Sequence, residues 1–219
     1  MVTMKDNKEL VAAITETVLK RLQGQPVSGL AGRGVPVGIS NRHVHLSEAD
    51  LRKLFGETSL IKWKDLSQPG QFACEQKVTL ATAHGVIENV RVLGPIRDKT
   101  QVEVAPSDCV RLGLTAPVRD SGDLAGSAGV TLIGPCSSVA LQEGVIIAAR
   151  HIHMHSDDAV RFGLKDKETV RVATAGRRGV VFHEVLTRVS PHYKLEFHVD
   201  IDEANAACLK NGELVEIVK

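Results

Sequence analysis

Two histidine pairs are the residues in this sequence with the clearest chemical potential. His43 and His45 end the heptapeptide Ile-Ser-Asn-Arg-His-Val-His, and His151 and His153 end the related Ile-Ala-Ala-Arg-His-Ile-His. Side chains alternate along a β-strand, so the two imidazoles of each pair project to one face. Neutral imidazoles are typical zinc ligands, and each pair would supply two of the ligands of a tetrahedral ion.

A third ligand for each pair is found by continuing the comparison of the two repeats. His43 and His151 are 108 residues apart, and the later strands Thr100–Val104 and Lys194–Val199 place Glu103 opposite His198 at a separation of 95. Both residues interrupt apolar alternation, where a polar side chain needs a reason. The sequence therefore predicts two metal sites. They comprise His43, His45 and Glu103, and His151, His153 and His198.

The alternative is that these histidines bind no metal. A single His-x-His is a weak signal, since histidines are common on exposed strands. Repetition of the motif, with a suitable third residue in each copy, favours metal binding. Three protein ligands and one vacant position are typical of a catalytic rather than a structural zinc site.

Composition excludes several other classes. The chain has 219 residues, a formal net charge of +1 and only 3% aromatic residues, so neither a nucleic-acid partner nor a base-stacking surface is indicated. The four cysteines form no Cys-x-x-Cys pair, which argues against a zinc ribbon or a disulfide framework and fits a reducing cytosol. No apolar run is long enough to span a membrane, and the first residues are too charged for a secretory signal.

The first residues predict an element of their own. Residues 1–24 contain an amphipathic helix over Lys5–Leu22, and residues 25–34 form a flexible linker rich in glycine. Because so short a helix cannot bury its apolar face locally, we expect it to dock on a partner. A frayed or self-associating tail is the alternative, and a homo-oligomer stays open.

The rest of the chain predicts a mainly β fold with short helices. Helical segments recur four times and short alternating strands lie between them, which indicates a duplication within a duplication over residues 35–133 and 134–219. Two small β-barrels capped by helices fit this pattern, whereas a doubly wound α/β fold would need long helical crossovers. The predicted helix N-caps are Ser47, Ser107, Ser156 and Asp202.

Two loops supply candidate substrate contacts. The excursion Trp63–Glu75 contains Gln71 and is expected near the site. The glycine-rich segment Asp120–Gly129 contains Ser121 and either cradles an anion or is simply a loop, since it lacks the signature of a phosphate-binding loop.

Four motifs resemble one protein family. They are Arg-His-Val-His-Leu-Ser from Arg42, Leu-Gly-Pro-Ile-Arg from Leu93, Arg-Asp-Ser-Gly from Arg119 and Arg-His-Ile-His-Met from Arg150. The chain from about Val35 resembles the PduL-type phosphate acyltransferases, whose namesake is phosphate propanoyltransferase. The resemblance implies the reaction acyl-CoA plus phosphate to acyl phosphate plus CoA, with propanoyl-CoA favoured and acetyl-CoA as the alternative.

The resemblance also implies structure and location. Two barrels would hold two zinc ions between them, with the strand over 35–41 exchanged into the barrel of the C-terminal half. The family's ligands map to the six residues predicted above, and its phosphate-contacting arginine maps to Arg97. Many relatives work inside the lumen of bacterial microcompartments, within the cytoplasm, and the N-terminal helix would then bind a shell or core protein.

A mechanism follows as a hypothesis. Phosphate would bind at the all-histidine site with Arg97, and the CoA sulfur at the site that Glu103 makes less positive. Arg97 and Glu103 are the expected catalytic residues, and direct displacement needs no cysteine nucleophile. A metal-dependent hydrolase is the competing enzyme class. A non-catalytic metal-binding module is the third reading.

Overall fold

The computed structural model describes residues 34–218. The predicted helix within residues 1–24 and all but the last residue of the predicted linker 25–34 lie outside this range.

The described chain is mainly β with four short helices. The strands are β1 Gly34–Ser40, β2 His43–His45, β3 Lys62–Asp65, β4 Phe72–Ala81, β5 Val86–Gly94, β6 Gln101–Glu103, β7 Val118–Arg119, β8 Ala128–Ile133, β9 Ser138–Ala148, β10 His151–Met154, β11 Thr169–Ala173, β12 Val181–Val189, β13 Glu196–Asp200 and β14 Leu214–Val218. The helices are α1 Glu48–Phe55, α2 Pro106–Leu112, α3 Ser156–Phe162 and α4 Ile201–Ala207.

Six strands close the first barrel. Their order is β4-β5-β2-β6-β9-β8, and β8 returns to pair with β4. β3 extends the sheet beside β4, and β7 lies beside β9. The interior is an apolar core that includes Val44, Leu46 and Leu80, all fully buried.

The second barrel has the order β1-β13-β10-β12-β11-β14. Its strand β1 comes from the start of the described chain and runs parallel to β13, with Gly38 opposite His198. The predicted fold class, including exchange of this strand into the C-terminal barrel, is confirmed. The predicted halves meet at 133/134, whereas β9 still pairs within the first barrel, so the chain passes from one barrel to the other only after Ala148.

The central residue of each histidine motif explains why the motif forms a strand. Val44 and Ile152 are completely buried, one in each barrel core. β-branched residues favour extended backbone, and burying each apolar side chain stabilises the fold by about 1.5–3 kcal/mol. Since neighbouring side chains on a strand point to opposite faces, this burial turns both histidines of each motif away from the core.

Three of the four helices begin at residues other than those predicted. Ser47 caps α1 as expected, and its hydroxyl accepts a hydrogen bond from the Asp50 N–H at 3.2 Å. The other three helices begin one or two residues earlier than predicted. The observed N-caps are Ala105, His155 and Asp200 in place of Ser107, Ser156 and Asp202.

The helix C-termini follow a common rule. The first three end at a glycine in the left-handed conformation, and α4 ends at Cys208, whose φ is 55°. Each cap N–H donates to a carbonyl of the last turn, which satisfies a group that the helix would otherwise leave unpaired. Within residues 34–218, no helix has the combined length and apolar character needed to cross a membrane.

Candidate active site

Strand register brings each predicted third residue to its histidine pair. His43 on β2 lies directly opposite Glu103 on β6, and His151 on β10 lies directly opposite His198 on β13. In each cluster, the atoms able to bind a metal all lie within 4.8 Å of one another. The two clusters therefore have equivalent positions on the two barrels.

The first cluster has fixed imidazole orientations. His43 Nδ1 donates to the Asn41 carbonyl at 2.8 Å, and His45 Nδ1 contacts the Leu93 carbonyl at 3.2 Å. A hydrogen bond at Nδ1 leaves the lone pair of Nε2 free, which is the usual arrangement of metal-binding histidines. His43 Nε2 lies 3.4 Å from Glu103 Oε2. This donor set fits a zinc-type cation.

The second cluster has a similar arrangement, but one of its histidines lacks a hydrogen-bond partner at Nδ1. His151 Nδ1 donates to the Ala149 carbonyl at 2.8 Å, and its Nε2 lies 3.1 Å from His153 Nε2. His153 Nδ1 is buried and has no hydrogen-bond partner in the described chain. Whichever tautomer His153 adopts, one buried ring nitrogen is left unsatisfied, as expected of a site that binds a cation.

Three of the histidines, His45, His151 and His153, are neutral near pH 7 because burial lowers the pKa of each. Burial, reinforced by His43 and Arg97, lowers the pKa of His45 to about 2. Burial, reinforced by His198 and Arg188, lowers the pKa of His153 to about 3, and burial likewise holds the pKa of His151 well below its usual value. Neutral imidazole is the metal-binding form, so these environments favour a cation over a proton.

Glu196 brings a carboxylate into the second cluster. Its Oε2 lies 2.5 Å from His198 Nε2, and it accepts hydrogen bonds from Ser67 Oγ at 2.5 Å and Gln68 Nε2 at 3.1 Å. Burial acts to raise the pKa of Glu196, but the hydrogen bonds from His198, Ser67 and Gln68 lower it to about 2. The second cluster is therefore not an all-histidine environment, and the predicted charge difference between the clusters is smaller than the sequence implied.

Gln101 occupies the corresponding place in the first cluster. Its Nε2 donates to Glu103 Oε1 at 2.5 Å and to Ser121 Oγ at 2.8 Å, and its Oε1 accepts from the Gly122 N–H at 2.8 Å. Ser121 Oγ also donates to Glu103 Oε1 at 3.0 Å. In each cluster, the third candidate ligand is therefore held by the residue two positions earlier on the same strand. Gln101 holds Glu103, and Glu196 holds His198; both Gln101 and Glu196 also hydrogen-bond to a loop.

Two arginines converge on the clusters. Arg97 donates to Ser121 Oγ at 3.0 Å, and burial lowers its pKa, opposed by the charge of Glu103 and assisted by that of Arg188. Arg188 lies opposite His153 on the neighbouring strand β12, and contacts Asp120 Oδ1 at 3.2 Å. Sequence reasoning missed Arg188. The repeat offset of 95 aligns this residue with Leu93, whose carbonyl contacts His45 Nδ1 in the first cluster.

One cavity of about 820 Å³ joins these groups. It is lined by both clusters and by Arg97 and Arg188. The two loop residues predicted as substrate contacts, Gln71 and Ser121, also line it. The nearby Gln68, which was not predicted, makes the side-chain contacts to Glu196. All predicted site residues therefore face a common space.

None of the four cysteines lines this cavity. Cys74 and Cys109 are buried, whereas Cys136 and Cys208 are exposed. Burial raises the pKa of Cys74 to about 11 and also raises that of Cys109. Since the thiolate is the nucleophile, these two buried thiols are poorly suited to attack a substrate.

The fold and the cavity define a double-barrel protein. Its two candidate metal-binding clusters and two arginines line one cavity large enough for substrates. The chain belongs to the phosphate propanoyltransferase family, whose model matches residues 36–210. A phosphate propanoyltransferase of Thermotoga maritima is 55% identical over 188 residues, covering 85% of this chain and 90% of the relative. Similar proteins with the same name occur in Shewanella putrefaciens, at 50% identity over 90% of this chain and 94% of that protein, and in Lachnoclostridium phytofermentans, at 45% over 98% and 100%. The chain is accordingly a transferase.

Proposed function

We propose that this protein transfers a short acyl group between CoA and phosphate, converting propanoyl-CoA and phosphate into propanoyl phosphate and CoA. Acetyl-CoA is the alternative acyl donor. The observation that carries the proposal is the shared cavity, where two ligand clusters and two arginines meet. The names of the relatives point to the same reaction.

We further propose that each cluster holds one zinc ion. His43, His45 and Glu103 would hold one, and His151, His153 and His198 the other. Zinc bound there would polarise the thioester carbonyl and stabilise the departing thiolate. The fixed Nδ1 hydrogen bonds of His43 and His151 support this role, because they leave Nε2 free.

Arg97 and Arg188 are suited to bind the phosphate dianion. A guanidinium presents a planar set of donors that matches phosphate oxygens, and a partly buried position strengthens this attraction. Ser121 orients Arg97 through the 3.0 Å hydrogen bond and orients Glu103 through a second one. Held in this way, phosphate can attack the carbonyl carbon while the bond from carbon to sulfur breaks, and CoA leaves as the thiolate.

The decisive assay measures free thiol released from propanoyl-CoA with and without phosphate, with acyl phosphate trapped by hydroxylamine. Thiol release that requires phosphate and yields equal acyl phosphate supports the transferase. Release without phosphate would indicate a hydrolase. Stoichiometric metal with no turnover of propanoyl-, acetyl- or butanoyl-CoA would indicate a metal-binding module. Comparison of the three thioesters also sets acyl preference, where one methylene group contributes only about 1–3 kcal/mol.

We propose that residues 1–24 direct the enzyme to a microcompartment lumen by docking on a shell or core protein. The apolar stripe of Leu10, Ile14 and Leu22 supports this role, because a short tethered helix needs a partner. Removing residues 1–24 should leave kcat unchanged and abolish co-purification with the compartment. Loss of activity, or retained co-purification, would contradict the proposal. Light scattering on both forms would determine the oligomeric state, which the sequence leaves open.

A further inference from the structure

An arginine stands immediately before each histidine motif. Arg42 precedes His43, and Arg150 precedes His151. The Arg42 side chain is only 32% exposed and that of Arg150 only 33%. Because a partly buried guanidinium needs an acceptor, the partners of these two cations indicate what the arginines do.

Arg42 contacts a buried carboxylate. Its Nε donates to Asp108 Oδ1 at 2.6 Å, and the Asp108 side chain is only 3% exposed. The other oxygen of Asp108 accepts the Ala105 N–H at 3.1 Å. Ala105 lies two residues after Glu103, so one carboxylate joins the residue before His43 to the backbone just beyond Glu103.

The second repeat contains the same arrangement. Arg150 Nε lies 3.3 Å from Glu203 Oε1, and Glu203 Oε2 accepts the Asp200 N–H at 3.1 Å. Asp200 lies two residues after His198, the third candidate ligand of this cluster. The two arginines are 108 residues apart and the two acids 95, which are the offsets that also relate the candidate ligands. The contact has therefore been kept in both copies of the repeat.

Each of these contacts lies at the end of a strand ladder. β2 and β6 have three residues each, and their ladder ends at the pair of His43 and Glu103. The ladder between β10 and β13 ends in the same way at His151 and His198. The ends of a strand pair open most readily, and here the end pair supplies two of the three candidate ligands. The arginine and its acid close the ladder just beyond this pair.

A contact with substrate is the alternative role for these arginines. Arg42 lines the cavity shared by the two clusters, whereas Arg150 does not. Both arginines nevertheless bind an acid in the same way. Access to the cavity is therefore not what the two have in common, and their shared feature is the ligand pair that follows.

We propose that Arg42 and Arg150 are positioning residues, each of which holds the first and third ligands of its cluster at the separation needed to bind a metal. The inference rests on the proposed function, because it concerns the two proposed zinc sites. Arg42 acts through Asp108 on the first cluster. Arg150 acts through Glu203 on the second.

Selective loss of one metal ion tests the proposal. The full chain loaded with zinc is challenged with EDTA, and the release of each ion is followed. Arg42→Ala should release one ion at least about 10-fold faster than wild type and the other at the wild-type rate. Adding Glu103→Ala to Arg42→Ala should accelerate no further ion, whereas adding His198→Ala should accelerate the second. Arg150→Ala should give the converse pattern.

Two further variants separate positioning from folding. Arg42→Ala leaves the Asp108 carboxylate buried without its cation, so Arg42→Ala/Asp108→Asn removes the charged pair as a whole. This double variant should show the same selective release, and Arg42→Lys, which keeps the charge, should restore part of the retention. A variant that is merely unstable would release both ions together, which would overturn the proposal. Arg52→Ala is the matched control, because Arg52 pairs with Glu48 on an exposed helix face and should affect neither ion.

Kinetics test the alternative of a substrate contact. Excess zinc should restore the kcat of Arg42→Ala to near wild type and leave KM for propanoyl-CoA and for phosphate unchanged. A rise in either KM with zinc retention intact would make Arg42 a substrate contact and overturn its positioning role. If the wild-type chain retains two ions and both arginine variants release them at wild-type rates, the positioning role is wrong and the zinc sites stand. If the wild-type chain binds no zinc, both proposals are wrong.

Discussion

The carboxylate of Glu196 lies 2.5 Å from the imidazole of His198, two residues further along β13. If the His198 Nε2–H donates to this carboxylate, the lone pair of Nδ1 is free to bind a metal, as in carboxylate–histidine–metal arrangements. Glu196 also accepts hydrogen bonds from Ser67 and Gln68, which belong to the loop between β3 and β4. One carboxylate therefore ties a loop beside the first barrel to a candidate ligand on the second.

Removal of this carboxylate should loosen metal binding. We expect Glu196→Ala to weaken zinc retention at the second cluster by about 10- to 100-fold, the usual effect of losing a group that orients a ligand. Glu196→Gln keeps an acceptor oxygen and should therefore weaken zinc retention less than Glu196→Ala does. Zinc per chain after a chelator challenge measures the effect, and exposed Glu88 provides the control variant Glu88→Ala. Wild-type zinc retention in Glu196→Ala would contradict this role.

Gly38 gives an independent test of the same contact. A Cβ at this position would lie 2.7 Å from Glu196 Cδ and 2.9 Å from Cγ, so Gly38→Ala should displace the carboxylate. We expect a loss of zinc retention and about 1–3 kcal/mol of unfolding free energy. In the Glu196→Ala background the same substitution should cost much less, because the clash is gone. Additive effects in denaturant unfolding would show that Gly38 acts separately from Glu196.

Arg97 should affect one substrate more than the other. Arg97→Ala removes a planar donor set beside Glu103 and Ser121, so KM for phosphate should rise at least about 10-fold more than KM for propanoyl-CoA. Arg188→Ala should have the same selectivity. Steady-state kinetics with each substrate varied in turn would measure this. Equal changes in both KM values would refute the assignment of Arg97 to phosphate.

The cysteines should be dispensable for chemistry. Cys74→Ser and Cys109→Ser should keep kcat within a few-fold of wild type, because both thiols have a raised pKa and neither lines the cavity. Mass spectrometry during turnover should detect no acylated enzyme. Loss of turnover in either variant, with zinc content intact, would replace direct displacement by a covalent intermediate.

Acid should destabilise the metal-free protein through its buried histidines. The pKa of His45 falls from 6.5 to about 2 on folding, and that of His153 to about 3, so below pH 6.5 the unfolded chain binds more protons than the folded one. The stability present above pH 6.5 should therefore decline towards pH 3. Each histidine contributes about 2 kcal/mol of this loss between pH 6.5 and pH 5.

Denaturant unfolding of the metal-free protein at several pH values would measure this decline. His45→Gln should flatten it, whereas His192→Gln should not, because the His192 side chain is exposed. An identical pH dependence in wild type and His45→Gln would contradict the assignment.

The sequence predicted the relation between His43 and Glu103, and between His151 and His198, because the repeat offsets and the two-residue period of a strand determine register. It also predicted the two barrels. Glu196 escaped notice because a glutamate beside a histidine in an alternating strand is ordinary on an exposed face. The offset of 95 from Gln101 to Glu196 could have revealed it.

Helix starts were predicted less well than strands. Ser107, Ser156 and Asp202 have side chains that favour N-caps, but the chain enters α2 at Ala105, where the Asp108 carboxylate accepts the Ala105 N–H at 3.1 Å. Residue type alone cannot distinguish neighbouring cap positions when the capping group comes from three residues later. Such positions depend on how the preceding strand leaves its sheet.

The exchange of β1 has a consequence for how the molecule is made. Gly34–Ser40 leaves the ribosome before any of its partner strands, and its neighbour β13 is synthesised only after the entire first barrel. The barrel spanning β2 to β9 can close during translation. The backbone groups of β1, in contrast, have no strand partner from β13 until Glu196–Asp200 has been synthesised. The reaction cavity is lined by residues of both barrels, so it can be complete only after β13 has been synthesised and has paired with β1.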